Sequence, residues 1–161
     1  MKNKKKLLVL SSTPQTIENT LLFFGCNYEL FFIILDSDNK KNYSNIGYLL
    51  EYHKLKFQRI RFNLFNRTIF LPKLVNIINN HNINELVIGE YRNPYMWCIS
   101  NLIAVPINLV DDGADSLVRF NSNISYTYKH DMFKTIMLSV IFRKKVRIKP
   151  SYFKLRTTFK N

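Results

Sequence analysis

The chain has 161 residues, a formal net charge of +13, 47% hydrophobic and 22% charged residues, which is the balance of one ordinary folded domain. That composition excludes disordered, collagenous and coiled-coil chains. With only 4 glycines (Gly25, Gly47, Gly89 and Gly113), neither a GxGxxG dinucleotide turn nor a GxxxxGK phosphate loop can be assembled.

In chain order, Lys2 and Lys4 to Lys6 precede the apolar Leu7 to Leu10. This run is too short for a signal peptide and has no small-residue cleavage site, so it reads as the first strand of a cytoplasmic protein. Lys6 to Ser11, Glu29 to Leu35, Phe57 to Phe62, Glu85 to Ile88 and Ile107 to Val110 read as strands. Their nearly continuous apolar character is that of strands covered on both faces. Helices are expected at Pro14 to Phe24, Asn45 to Tyr52, Ile69 to Asn80 and Pro94 to Ile103, the first with Thr13 as N-cap and Pro14 at its first position. This βαβαβ rhythm predicts an α/β fold, a Rossmann-like parallel sheet occupying residues 1–120.

After Gly113 the rhythm breaks down. Residues 121–161 hold ten Lys or Arg against the single acid Asp131, a net +9. Met132, Phe133, Ile136, Met137, Val140 and Ile141 recur at helical spacings and lead into Arg143, Lys144, Lys145, Arg147 and Lys149. A basic helical C-terminal extension is expected, with a short strand near Val146 to Ile148. It suits a peripheral helix on an anionic membrane surface, or a domain helix with a solvated basic end. No recognition motif accompanies the charge, so no nucleic-acid partner is expected.

Cys26 and Cys98 have no CxxC and no nearby His, so both read as buried thiols in a reducing compartment. His53, His81 and His130 are scattered, with no pairing at metal-ligand spacing; His81 reads as a helix C-terminal residue. Asp36-Ser37-Asp38 has the DxD spacing by which transferases hold a divalent metal, but it is read here as the commoner alternative, a solvated turn leading into Asn39-Lys40-Lys41. Tyr91, Arg92, Tyr95 and Trp97 offer either a stacking surface or helix-to-sheet packing. No metal site and no cofactor is assigned.

In open parallel sheets ligands gather at the carboxyl ends of the strands. The segments there are Ser11-Ser12-Thr13-Pro14-Gln15, Asp36-Ser37-Asp38 and Asp111-Asp112-Gly113. Two adjacent carboxylates repel when both are ionised, which raises the pKa of one and suits it to general-base work. Gly113 permits a tight turn beside them. An Asp-Gly turn that caps a following helix has the same sequence.

With Thr13-Pro14-Gln15 closing the first strand and Asp111-Asp112-Gly113 closing the fifth, the chain resembles bacterial sialyltransferases of glycosyltransferase family 52 and alpha-2,8-polysialyltransferase-like proteins. The family's opening turn is Thr-Pro-x-Gln-like; here the Gln follows the Pro directly. The resemblance runs from about Lys6 to the end of the chain. It implies the N-terminal half of a GT-B fold and inverting, metal-independent transfer of sialic acid from CMP-sialic acid to a lipooligosaccharide or capsular glycan. It implies Asp112 as general base, Asp111 as its alternative and electrostatic neighbour, and Thr13, Gln15 and Gly113 as substrate-binding residues. The family's His-Pro pair for the CMP phosphate is absent, because the three histidines precede Lys54, Asn82 and Asp131. The chain therefore reads as the acceptor-side half, with residues 121–161 opening a second domain. Either another polypeptide completes it or it is an inactive remnant; the alternative function is a non-catalytic, membrane-peripheral or partner-binding module.

Overall fold

The computed structural model describes residues 4–36, 40–61, 64–89, 105–110 and 153–156. In chain order these form β1 (Lys5–Ser11), α1 (Pro14–Phe24), β2 (Tyr28–Asp36), α2 (Lys40–Tyr52), β3 (Lys56–Arg61), α3 (Leu64–Asn80), β4 (Glu85–Ile88), β5 (Ile107–Val110) and β6 (Phe153–Arg156). The strands make one six-stranded sheet in the order β3-β2-β1-β4-β5-β6. Every neighbouring pair is parallel.

That order follows from two rules. A parallel crossover is right-handed, and a helix must cover whichever face its crossover passes. β1, β2 and β3 step outward in one direction, so α1 and α2 share a face. The chain then returns past β1 to β4 in the opposite direction, which puts α3 on the other face. The two apolar layers bear this out. Leu7, Val9, Leu30, Phe32, Ile34 and Val87 pack with Ile17 and Phe24 of α1 and Ile46 and Leu50 of α2. Leu8, Leu10, Ile33, Leu35, Leu86 and Ile88 pack with Phe70, Leu74 and Ile78 of α3. Alternate residues of one strand serve opposite layers, which is why β1, β2, β4 and β5 read as apolar runs. β3, at the sheet edge, instead leaves Lys56, Phe57 and Gln58 exposed, contrary to the expectation of cover on both faces.

The α1 start is as expected: Thr13 is extended (φ −130°, ψ 147°) and its side chain accepts from the Thr16 N–H. α2 and α3 begin earlier than the apolar periodicity suggests, at Lys40 and Leu64 rather than Asn45 and Ile69. Both close in the same way. At α2 the Leu55 N–H reaches the Leu50 carbonyl at 2.9 Å and the Lys54 N–H the Glu51 carbonyl at 3.0 Å. At α3 the Ile83 N–H reaches Ile78 at 2.9 Å and the Asn82 N–H reaches Asn79 at 3.2 Å. These are Schellman closures, with Lys54 (φ 51°) and Asn82 (φ 52°) in the left-handed position usually taken by glycine. His81 stands directly after α3, where the sequence placed it.

Two expectations are corrected. Cys26 is exposed, not buried: it lies in the turn of residues 25–27 between α1 and β2, beyond the cover of either helix layer. The tail is not helical throughout, because Phe153–Arg156 is β6, paired in parallel with β5 from Ile107↔Phe153 to Val110↔Arg156. Residues of the tail thus belong to the same sheet as residues 5–110. The expected helices at Pro94 to Ile103 and Met132 to Ile141, and the strand at Val146 to Ile148, lie outside the described residues. Among the described residues, no helix is long and apolar enough to cross a membrane.

Candidate functional site

The reversal of winding direction falls between β1 and β4, and in doubly wound sheets the ligand crevice opens at the carboxyl ends of the two strands flanking such a point. Here those ends are Ser11 on β1 and Ile88 on β4, followed by Ser12-Thr13 and Gly89.

The β1–α1 turn is a run of hydroxyl side chains whose hydrogen bonds can be followed one by one. Ser11 Oγ donates to the Thr13 carbonyl at 2.8 Å and accepts from the Thr13 N–H at 3.3 Å. Thr13 Oγ1 accepts from the Thr16 N–H at 3.4 Å and lies 2.9 Å from Thr16 Oγ1. The Thr20 hydroxyl donates to the Thr16 carbonyl at 2.6 Å, and Gln15 Nε2 donates to Asn19 Oδ1 at 3.3 Å. Ser12 is the exception. It is 7% exposed, and its Oγ has no hydrogen-bond partner among the described residues. A buried, unpaired hydroxyl costs about 1–3 kcal/mol.

On the β4 side, Gly89 presses on the first turn of α1. A Cβ built there would meet Thr16 Oγ1 at 1.9 Å and Thr16 Cγ2 at 2.5 Å, so no side chain fits between β4 and α1 without displacement. Glycine is required here for close approach of backbone to helix.

Of the residues singled out from sequence, Thr13 is half-buried as the α1 N-cap and Gln15 is exposed on the first turn, its amide turned to Asn19. Asp111, Asp112 and Gly113 lie outside the described residues. The structure does fix the strand before them: β5 ends at Val110, at the same carboxyl edge as Ser11, with only β4 between β5 and β1. β2 likewise ends there at Asp36, beside Arg61 of β3 in register; Ser37 and Asp38 are outside the described residues. Tyr91, Arg92, Tyr95, Trp97, Cys98 and His130 are outside them as well. His53 and His81 are exposed, and among the described residues no cluster of His, Cys, Asp or Glu could hold a metal ion.

Sequence reasoning picked out the β1–α1 turn but not Ser12 within it, nor Gly89. The signal for Gly89 was its place directly after a strand in a glycine-poor chain. Ser12 had none, since its lack of a partner is a property of the tertiary structure. Neither the family models nor the curated proteins give a match to this chain.

Proposed function

We propose that the chain is the acceptor-side Rossmann-like half of an inverting GT-B glycosyltransferase, moving sialic acid from CMP-sialic acid to a lipooligosaccharide or capsular glycan. The observation that carries this reading is the shared carboxyl edge: the Thr13-Pro14-Gln15 turn leaves β1 where β5 ends, one covalent bond before Asp111. The two segments that carry the family resemblance therefore leave the sheet on one side of it, two strands apart.

In this reading Asp112 accepts the proton of an acceptor hydroxyl as that oxygen attacks the anomeric carbon. The new glycosidic bond forms on the face opposite the departing CMP, whose phosphate oxygen takes the electrons of the broken bond. The negative charge of Asp111 beside it favours protonation of Asp112 and so strengthens the base. No metal is needed. The His-Pro pair that serves the donor phosphate in such enzymes is not in this sequence, so the chain is assigned the acceptor and the base but not that donor contact. The cytoplasmic face of the membrane is the proposed site of action, with the basic residues 129–160 against anionic headgroups.

The test is transfer from CMP-sialic acid to a galactose-terminated lipooligosaccharide, wild type against Asp112→Asn. Loss of a general base lowers turnover by about 100- to 10,000-fold. Equal rates would remove the role from Asp112. Absence of product with the wild type would remove transfer by this chain alone and leave either an inactive acceptor-side remnant or the alternative reading. The net +9 of the last 41 residues would then favour the alternative, a non-catalytic module that rests on a membrane.

A further inference from the structure

Charge outside the tail is not spread evenly. The α2–β3 unit, residues 40–61, holds six Lys or Arg against the single acid Glu51, a net of +5. The rest of residues 1–120 holds eight against nine acids, a net of −1. This basic unit stands at the β3 edge of the sheet, whereas β6, the described part of the basic tail, forms the opposite edge. The exposed Tyr and Phe rings among the described residues gather on the same unit. Tyr48 is 67% exposed, Tyr52 69% and Phe57 39%, while the other large exposed apolar side chains are the aliphatic Leu22 of α1 and Ile69 of α3.

The rings and a cation can be followed contact by contact. Ile46 and Leu50 turn the inner side of α2 to the core, which leaves Tyr48 and Tyr52, one turn apart, on its outer side. Their rings stack, with centroids 5.9 Å and planes 21° apart, and His53 meets Tyr52 edge-on at 5.0 Å. Arg59 reaches from β3 to α2. Its Nη2 would stand 2.9 Å from a Cβ at Gly47, the residue before Tyr48, and its Cζ lies 5.5 Å from the Phe57 ring centroid.

An exposed aromatic platform bordered by cations is the chemistry that holds an unpaired strand: bases stack on the rings, and Lys and Arg neutralise the phosphates. Stacking is tolerant of sequence, so the lack of a recognition motif does not argue against it. A lipid surface would call for aliphatic side chains entering the acyl boundary, and the exposed Leu22 and Ile69 stand on other elements. We propose that the α2–β3 edge binds single-stranded nucleic acid, with bases stacked on Tyr48 and Tyr52 and phosphates drawn by the net +5 of the unit, Arg59 included. This holds whether or not the chain transfers a sugar.

Fluorescence anisotropy of the full chain with labelled oligothymidylate and oligouridylate of about 10 nucleotides tests it. The tighter of the two identifies the strand as DNA or RNA. Tyr48→Ala with Tyr52→Ala removes the platform and no charge, and should weaken single-strand binding about ten- to a hundredfold. Tyr48→Phe with Tyr52→Phe keeps both rings and should bind within about threefold of wild type. Both side chains are exposed, so Tm should hold in either pair. A DNA duplex of the same length, bound through phosphates alone, should lose no affinity in the alanine pair. No oligonucleotide binding by the wild type overturns the proposal. So does an alanine pair that binds the single strand as tightly as wild type, or that loses duplex affinity equally. Loss of binding to phosphatidylserine vesicles in that pair, with oligonucleotide binding intact, would assign the rings to a lipid surface and overturn it too. Lys144→Glu with Lys145→Glu keeps the whole α2–β3 unit and should lose less single-strand affinity than the alanine pair; the reverse order would move the site to the tail.

Discussion

Glu85 joins four strands at the amino edge of the sheet through one carboxylate. Its Oε1 accepts from the Tyr28 hydroxyl of β2 at 3.1 Å and lies 3.7 Å from Lys5 Nζ of β1, while Oε2 accepts from Asn108 Nδ2 of β5 at 2.9 Å. These contacts are unequal. Lys5 is 67% exposed on its side chain, and an ion pair of that kind contributes between zero and about 1 kcal/mol. Asn108 is 2% exposed and loses a buried acceptor if Glu85 goes. Glu85→Ala should therefore destabilise by about 2–3 kcal/mol and Lys5→Ala by less than about 0.5 kcal/mol, read by urea unfolding. Equal effects would mean that the ion pair, and not the Asn108 contact, matters. Gly89 makes a second demand at the opposite edge. Gly89→Ala forces a methyl group into Thr16 and should cost about 1–3 kcal/mol, with partial recovery in a Gly89→Ala, Thr16→Ala double variant.

Helix ends show what this sequence does without glycine. Lys54 closes α2 at φ 51°, where a Cβ is unfavourable by about 1–2 kcal/mol relative to glycine. The closure is held by Leu55 packing back on the α1–α2 layer beside Leu50. Lys54→Gly should raise stability by about 1 kcal/mol, and Asn82→Gly by less, since asparagine tolerates this region better. The comparison needs only two Tm values; a larger gain at Asn82 would contradict the backbone argument. The elements that were legible in sequence are those with a local signal. β1, β2, β4 and β5 show as apolar runs covered on both faces, and α1 announces itself through Thr13-Pro14. β3 (Lys56–Arg61) is an edge strand with Lys56, Phe57 and Gln58 exposed, so only the strand itself, not its expected cover, is borne out. The starts of α2 and α3 were missed because Lys40 to Ser44 and Leu64 to Thr68 do not follow the apolar period used to find the helices. β6 was missed because a four-residue strand inside a basic tail is defined by its pairing with β5, some 46 positions earlier at Ile107↔Phe153. The site divides the same way. Thr13 is a local cap and was readable, whereas the unpaired state of Ser12 and the tight contact at Gly89 depend on residues brought together by the fold.

On the scale of the whole molecule, topology and charge set separate properties. Because every neighbouring pair is parallel, the carboxyl ends of all six strands lie at one edge, so the β1 turn and the end of β5 share a side of the sheet. The charge is distributed differently: +9 of the net +13 comes from residues 121–161. Within that stretch, Phe153–Arg156, which carries Lys154 and Arg156, is part of the sheet. A cationic segment binds an anionic bilayer mainly through long-range attraction, about 1 kcal/mol for each Lys or Arg near the headgroups. Salt weakens this strongly, as the screening length falls from about 10 Å at 0.1 M to about 3 Å at 1 M. The chain should therefore cosediment with vesicles containing phosphatidylserine at low salt, be released by 1 M salt at about the concentration where screening is complete, and ignore purely zwitterionic vesicles. Lys144→Glu with Lys145→Glu reverses two charges while leaving β6 untouched, and should weaken vesicle binding more than tenfold, at about 1 kcal/mol lost per charge removed. If that variant binds as the wild type does, or if binding persists undiminished at high salt, the basic stretch is not a membrane-facing surface and its charge serves the sheet's own surroundings.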